Sequence, residues 1–176
     1  MASPKKLKKL LKEDEEFVKF KRLVKRASEA LDIEKDRSEA LNLHTSRTAR
    51  NLYGKAQFSA PKIADASARD LAGRSRLVEI RVRARVNLSI IEKAVKTIKG
   101  HIHANYKSAL QDYRTKGERE AFIESVLGIY LEKLTEGEAL LEMLDFLIKD
   151  IDQSGFALKN MTEVLKLMSE THGKVA

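Results

Sequence analysis

The chain has 176 residues, with 34 Lys and Arg against 26 Asp and Glu for a net charge of +8, and no cysteine. That length suits one domain, or one domain with an arm, and the missing cysteines exclude disulfides and thiolate metal sites. Hydrophobic residues at 43% exclude a fully disordered chain, while aromatics at 6% and the absence of Trp point to an elongated or oligomeric α structure.

Charge is unevenly divided. Residues 1–117 carry 28 Lys and Arg against 14 Asp and Glu, whereas residues 118–176 carry 6 against 12. A basic surface raises the local concentration of nucleic acid or anionic lipid. The acidic end is the more continuously apolar, and it is expected to bury helix faces against copies of itself.

Ser3-Pro4 forms an N-cap and first-turn pair, and Leu7, Leu10, Leu11, Phe17, Phe20, Leu23 and Val24 follow mostly at helical spacing. This predicts a loosely attached basic amphipathic helix over residues 4–31. Lysines interrupt its leucines, so it does not read as a secretory signal, and no apolar run approaches the roughly 20 residues that cross a bilayer. A soluble, intracellular protein is expected. The acidic run Glu13–Glu16 argues against a membrane-surface helix.

Residues 32–49 have a weak stripe of Ile33, Ala40 and Leu41 and suggest a helix with frayed ends. Gly54, Pro61 and Gly73 lie in a stretch rich in Ala, Ser and Asp, and Pro61 biases Ala60 away from helical backbone. A linker or short helical pieces are expected over 54–75. Then Leu77, Ile80, Ala84, Leu88, Ile91, Val95, Ile98, Ile102, Tyr106, Ala109 and Tyr113 step by three or four, predicting one long helix that ends at Gly117. Arg114 and Lys116 would then suit its C-terminus. Beyond it, helices are expected over 118–135 and 137–152, with a bend or stop at Gly155, a final helix carrying Phe156 to Met168, and a tail that frays from Thr171.

The segment 122–168 is apolar over more than half its circumference, so one long helix cannot cover it. Self-association is therefore expected through Leu140, Leu141, Leu144, Leu147, Ile148, Ile151, Phe156, Leu158, Met161 and Leu165.

Little catalytic chemistry is legible. No P-loop or nucleophile–base–acid set appears, so no enzyme is expected, and no cofactor. His101 and His103, two apart, face different directions on a helix and do not share a metal without a third ligand. Asp145, Asp150 and Asp152 are expected to form a solvated face. Basic residues flanking the long seam carry the strongest signal, a net of +8 over residues 74–117. Phosphate contacts from such residues release counterions and supply affinity without sequence preference. Candidate nucleic-acid-binding residues are Arg81, Arg83, Arg85, Lys93, Lys96, Lys99, Lys107, Tyr113, Arg114 and Lys116. Tyr106 and Tyr113 sit on the seam, which favours the core over base stacking, though Tyr113 stays among the candidates.

Two blocks resemble a known family. One is Lys107-Ser-Ala-Leu-Gln-Asp-Tyr-Arg-Thr-Lys-Gly117; the other runs from Leu144 to Met161 and contains Gly155-Phe-Ala-Leu-Lys159. Both, and the spacing between them, resemble UvsY, the recombination mediator of tailed phages, over roughly residues 88–168. Lys107, Leu110, Tyr113 and Gly117 match its basic-helix pattern, while the family's Arg two residues after that Lys is Ala109 here. The resemblance implies a mediator that binds single-stranded DNA and helps a strand-exchange recombinase displace a single-strand DNA-binding protein. It also implies rings assembled through C-terminal helices, in the cytoplasm of an infected bacterial host.

The resulting expectation is an all-α, elongated chain. It comprises a basic helical N-terminal arm (1–53), a linker or short helices (54–75), a long basic DNA-binding helix (76–117) and a C-terminal helical oligomerisation region (118–176). Its rivals are a helical scaffold or adaptor, and a duplex-DNA-binding regulator whose helix-turn-helix has room only in residues 32–60.

Overall fold

The computed structural model describes residues 4–47, 59–111 and 113–172. Those residues are all-α, with no strand among them: α1 Pro4–Lys12, α2 Glu15–Ala30, α3 Ile33–Thr45, α4 Ala60–Asn105, α5 Lys107–Leu110 and α6 Lys116–His172. No helix is long and apolar enough to cross a membrane, among the described residues. The chain divides into two compact units, Met1–Ile33 with Arg83–Leu140, and Glu34–Val82 with Leu141–Ala176. Each of the two long helices therefore gives one part to each unit.

Local chemistry moves several expected boundaries. The single helix expected over 4–31 breaks at Asp14, whose side chain accepts the Phe17 N–H at 2.8 Å and so starts α2 afresh. Residues 60–75, expected as linker or short pieces, are the opening turns of α4. Pro61 lies in its first turn, where the N–H that proline lacks has no intrahelical partner to lose, and the Ser59 carbonyl takes the first bond, from Ile63 N–H at 3.1 Å. Gly73 costs about 1 kcal/mol in a helix, too little to interrupt so long an element. Residues 54–58 and 173–176 lie outside the described residues.

The long seam helix ends at Asn105 rather than Gly117. After α5 the chain restarts at a capping box: Thr115 Oγ1 accepts the Glu118 N–H at 3.1 Å, and Glu118 Oε2 accepts the Thr115 N–H at 3.0 Å. Gly117 is thus near the start of α6, and Arg114 and Lys116 lie at a helix N-terminus rather than a C-terminus. The three helices expected beyond it are one, with Gly137 and Gly155 inside it.

In the first unit, α1 and α2 close over a layer made by α4, α5 and α6. Leu7 and Leu11 of α1 are fully buried in the same cluster as Phe20 and Val24 of α2, Ile91 and Ile102 of α4, Leu110 of α5 and Ile123 and Leu127 of α6. The N-terminal segment, expected to be loosely attached, is docked. α4 and α6 run antiparallel here: Leu88 faces Gly137, Lys99 meets Glu124 and His103 meets Glu120, one index rising as the other falls.

The second unit is built from α3, the start of α4 and the end of α6. Arg74 pairs with Asp152 and Arg81 with Asp145, two helical turns apart on both helices, so these parts are also antiparallel. Arg76 of α4 reaches Glu39 of α3. Leu141, Leu144, Leu147, Ile151 and Leu158 are buried here, and Leu140 in the first unit, each inside a single chain. Met161 and Leu165 pack on the cluster of Ile63, Ala66 and Leu158, and Ile148 is half-buried. Most of the apolar surface expected to face neighbouring copies is covered from within, fully at six of the ten residues and partly at Ile148, Met161 and Leu165. The cover includes the first turns of α4, the stretch expected as linker. Of the ten residues expected at an oligomer contact, Phe156 alone is largely exposed.

Candidate nucleic-acid interface

α4 positions most of the candidate cations. Its buried row, Ile91, Val95, Ile98 and Ile102, advances by three or four, which turns Arg85, Lys93 and Lys96 into solvent. Lys107 on α5, Arg114 in the connection and Lys116 in the first turn of α6 are also exposed. These six carry no side-chain ion pair among the described residues, and all six belong to the first unit. Arg83 is exposed in the same unit.

Other candidates are already committed. Lys99 Nζ donates to Glu124 Oε1 at 2.7 Å, with its side chain mostly covered. Arg81, in the second unit, holds Asp145 with both Nε and Nη2, the latter at 3.2 Å. That bond raises its already high pKa, so it stays charged but spoken for. Arg74 grips Asp152 in the same two-pronged way, at 2.5 and 3.1 Å. The charge asymmetry of the sequence is therefore partly cancelled in space, because acidic α6 lies against basic α4 and meets it carboxylate to cation within each unit.

The acidic cluster changes meaning accordingly. Asp145, Asp150 and Asp152, expected as a solvated face, each hold a basic partner. Asp150 meets His44 Nε2 at 2.7 Å and also Arg47, which is 4% exposed and faces Asp70 at 3.6 Å. The hydrogen bond from His44 holds the Asp150 carboxyl below the usual carboxylate range; burial opposes this and Arg47 adds to it.

Tyr113 stacks on Phe122, ring centroids 4.6 Å apart, so one of its faces is already covered. Tyr106 donates its hydroxyl to Asp14 at 2.5 Å. Burial and that hydrogen bond push its phenol up to about 12. His101 Nε2 meets the same carboxylate oxygen at 2.9 Å, and His103 meets Glu120 at 3.2 Å. No three His, Asp or Glu side chains converge as a metal site among the described residues.

Sequence reasoning missed one basic site. α2 and α6 enclose a groove in the first unit where Lys21, Arg22, Lys25 and Lys133 surround apolar side chains. The signal was present in Val18, Lys21, Arg22 and Lys25, which share one helix face, but nothing in the sequence showed that α6 lies opposite.

The described residues form an all-α protein whose first unit carries six of the candidate cations exposed and without an ion pair among those residues. No family model, curated protein or solved structure matches the chain.

Proposed function

We propose that this chain is a single-stranded DNA-binding recombination mediator, which holds the strand on the exposed cations of its first unit and helps load a strand-exchange recombinase. The observation that carries this reading is that Arg85, Lys93, Lys96, Lys107, Arg114 and Lys116 stay exposed and without an ion pair among the described residues, although α6 supplies carboxylates along its length. Free ammonium and guanidinium groups are what phosphates displace counterions to reach, while paired ones must first give up a carboxylate. The two UvsY-like blocks add the mediator role. Displacement of a single-strand DNA-binding protein would follow from several protomers gripping one strand, since avidity rises with the number of linked sites. Contacts between copies would use the exposed Phe146, Phe156 and Val164 of α6 rather than its buried leucines.

Light-scattering mass measurement with and without a poly-dT oligonucleotide tests assembly and ligand together. The reading expects a multimer that binds oligo-dT at low salt and prefers it to duplex of equal length. A monomer that ignores oligo-dT overturns it. Oligomers with only weak, non-selective DNA binding would favour a scaffold or adaptor, a role that the same exposed Phe146 and Phe156 also suit.

A further inference from the structure

We infer that the groove between α2 and the first unit's part of α6 is a docking site for an acidic peptide with apolar anchor side chains. It uses other side chains than the strand-binding reading and does not depend on it. The groove is open to solvent and has a volume of about 580 Å³, within the size range of ligand-binding clefts. Val18, Lys21, Arg22 and Lys25 line one side at steps of three or four, and Ile129 and Lys133, one turn apart, line the other.

The floor is aliphatic and open. Ile129 is 69% exposed, although it sits beside Val24, which is buried. A large apolar side chain held in solvent gains free energy from any apolar group that covers it. The rim is cationic. Lys21, Arg22 and Lys133 carry no ion pair among the described residues, and the one carboxylate, Glu29, lies 3.8 Å from Lys25 with both side chains in solvent. Ser28, in the groove wall, has a hydroxyl buried without a hydrogen-bond partner among the described residues, a cost that a polar atom of an occupant would remove.

Charge complementarity selects the occupant. A peptide with carboxylates flanking two or three apolar side chains sets the latter on Ile129 and the former on the rim, where Arg22 can hold a carboxylate with two parallel bonds. A nucleic-acid strand fits less well. The groove's one aromatic, Tyr130, is half-buried and packs against Phe20 with centroids 4.8 Å apart, so the groove offers a strand one stacking platform rather than a row of them. Beyond that ring the apolar lining is aliphatic and gives bases nothing to stack on.

The experiment is fluorescence anisotropy with the full chain. The probe is a fluorescein-labelled amphipathic peptide of about twelve residues, with Glu and Leu at helical spacing. Its controls are the same peptide with Lys for Glu, and an unlabelled oligo-dT as competitor. The acidic peptide should bind and the basic one should not. The double variant Lys21→Glu with Lys133→Glu should weaken binding by about tenfold or more. Ile129→Ser, at an exposed position outside the buried core, should weaken it by about fivefold. Circular dichroism melts establish that each variant is folded. The proposal is overturned if both folded variants bind the acidic peptide like the parent. It is equally overturned if oligo-dT displaces the peptide and itself loses affinity on the same variants, which would give the groove to nucleic acid.

Discussion

Tyr106 donates its hydroxyl to Asp14 at 2.5 Å, tying the corner between α1 and α2 to the residue that follows α4. His101 and the Phe17 N–H meet the same carboxylate. One aspartate therefore starts a helix and fastens it to the long one beneath. Burial opposes the Asp14 charge, but hydrogen bonds from Tyr106, His101 and Phe17 outweigh it and lower the carboxyl from 3.8 to about 2. A carboxyl whose folded pKa is depressed contributes stability above its unfolded pKa and loses it as pH falls through the folded value. Here that window runs from about pH 4 down to about 2 and is worth up to about 2 kcal/mol. Tyr106→Phe should cost about 2 kcal/mol at neutral pH, the range for a charge-assisted bond. It should also flatten the acid dependence of stability in that window, because the folded pKa moves back toward the unfolded one. Urea unfolding at several pH values reads both effects, and an unchanged acid profile would contradict the assignment.

Leu88 of α4 packs onto Gly137 of α6 in the first unit. A Cβ at Gly137 would lie 2.2 Å from Leu88 Cδ2, and Leu88 is itself 2% exposed. Alanine should gain about 1 kcal/mol in helix propensity, but overpacking a filled site costs about 1–3 kcal/mol, so Gly137→Ala should be a net loss. Gly128, with open space where a Cβ would go, should show the propensity gain alone. Thermal melts of both variants, and of Gly137→Ala combined with Leu88→Ala, check this. The double variant should lose less than the sum of the singles, since removing the Leu88 side chain makes room.

Helical class and the α4 seam were legible because spacing by three and four survives whatever else the chain does. Caps were legible in principle: Thr115-Lys-Gly-Glu118 has the capping-box pattern, and Asp14 precedes an apolar run. Glycine misled. Gly117 suggests a helix end and Gly155 a bend or stop, yet a glycine inside a 57-residue helix costs little against the packing on either side of it. Pro61 misled in the same way, because its ring is harmless in a first turn. The candidate site was less readable, since whether Arg81 or Lys93 is free depends on which residues of α6 lie opposite. Pairs such as Arg81 with Asp145 span 64 positions, and no local pattern announces them.

Arg47 joins two aspartates in the second unit, Asp150 by hydrogen bond and Asp70 at 3.6 Å, and both Arg47 and Asp70 are buried. A buried ion pair is weak evidence of net stability, but removing one member strands the other charge. Arg47→Ala should therefore cost about 3 kcal/mol or more, whereas Arg47→Ala with Asp70→Ala should recover part of that loss. Chemical denaturation of the two variants decides; equal stabilities would mean that Asp70 is not left stranded.

Free and engaged cations should separate cleanly in the salt dependence of strand binding. Each phosphate contact to a single strand contributes about −0.7 to the slope of log K against log salt. Lys107→Ala with Lys116→Ala removes two exposed ammonium groups that have no ion pair among the described residues, so the slope for oligo-dT should fall by about 1.4 with little change in melting temperature. Arg74→Ala with Arg81→Ala removes as much charge, but those guanidiniums are held by Asp152 and Asp145. The slope should then hold while thermal stability drops, because two links between α4 and α6 in the second unit are lost. Titrations at four or five salt concentrations distinguish the pairs. Equal slope changes would show that phosphates take the guanidiniums from their carboxylates, and that pairing within the chain does not choose where the strand runs.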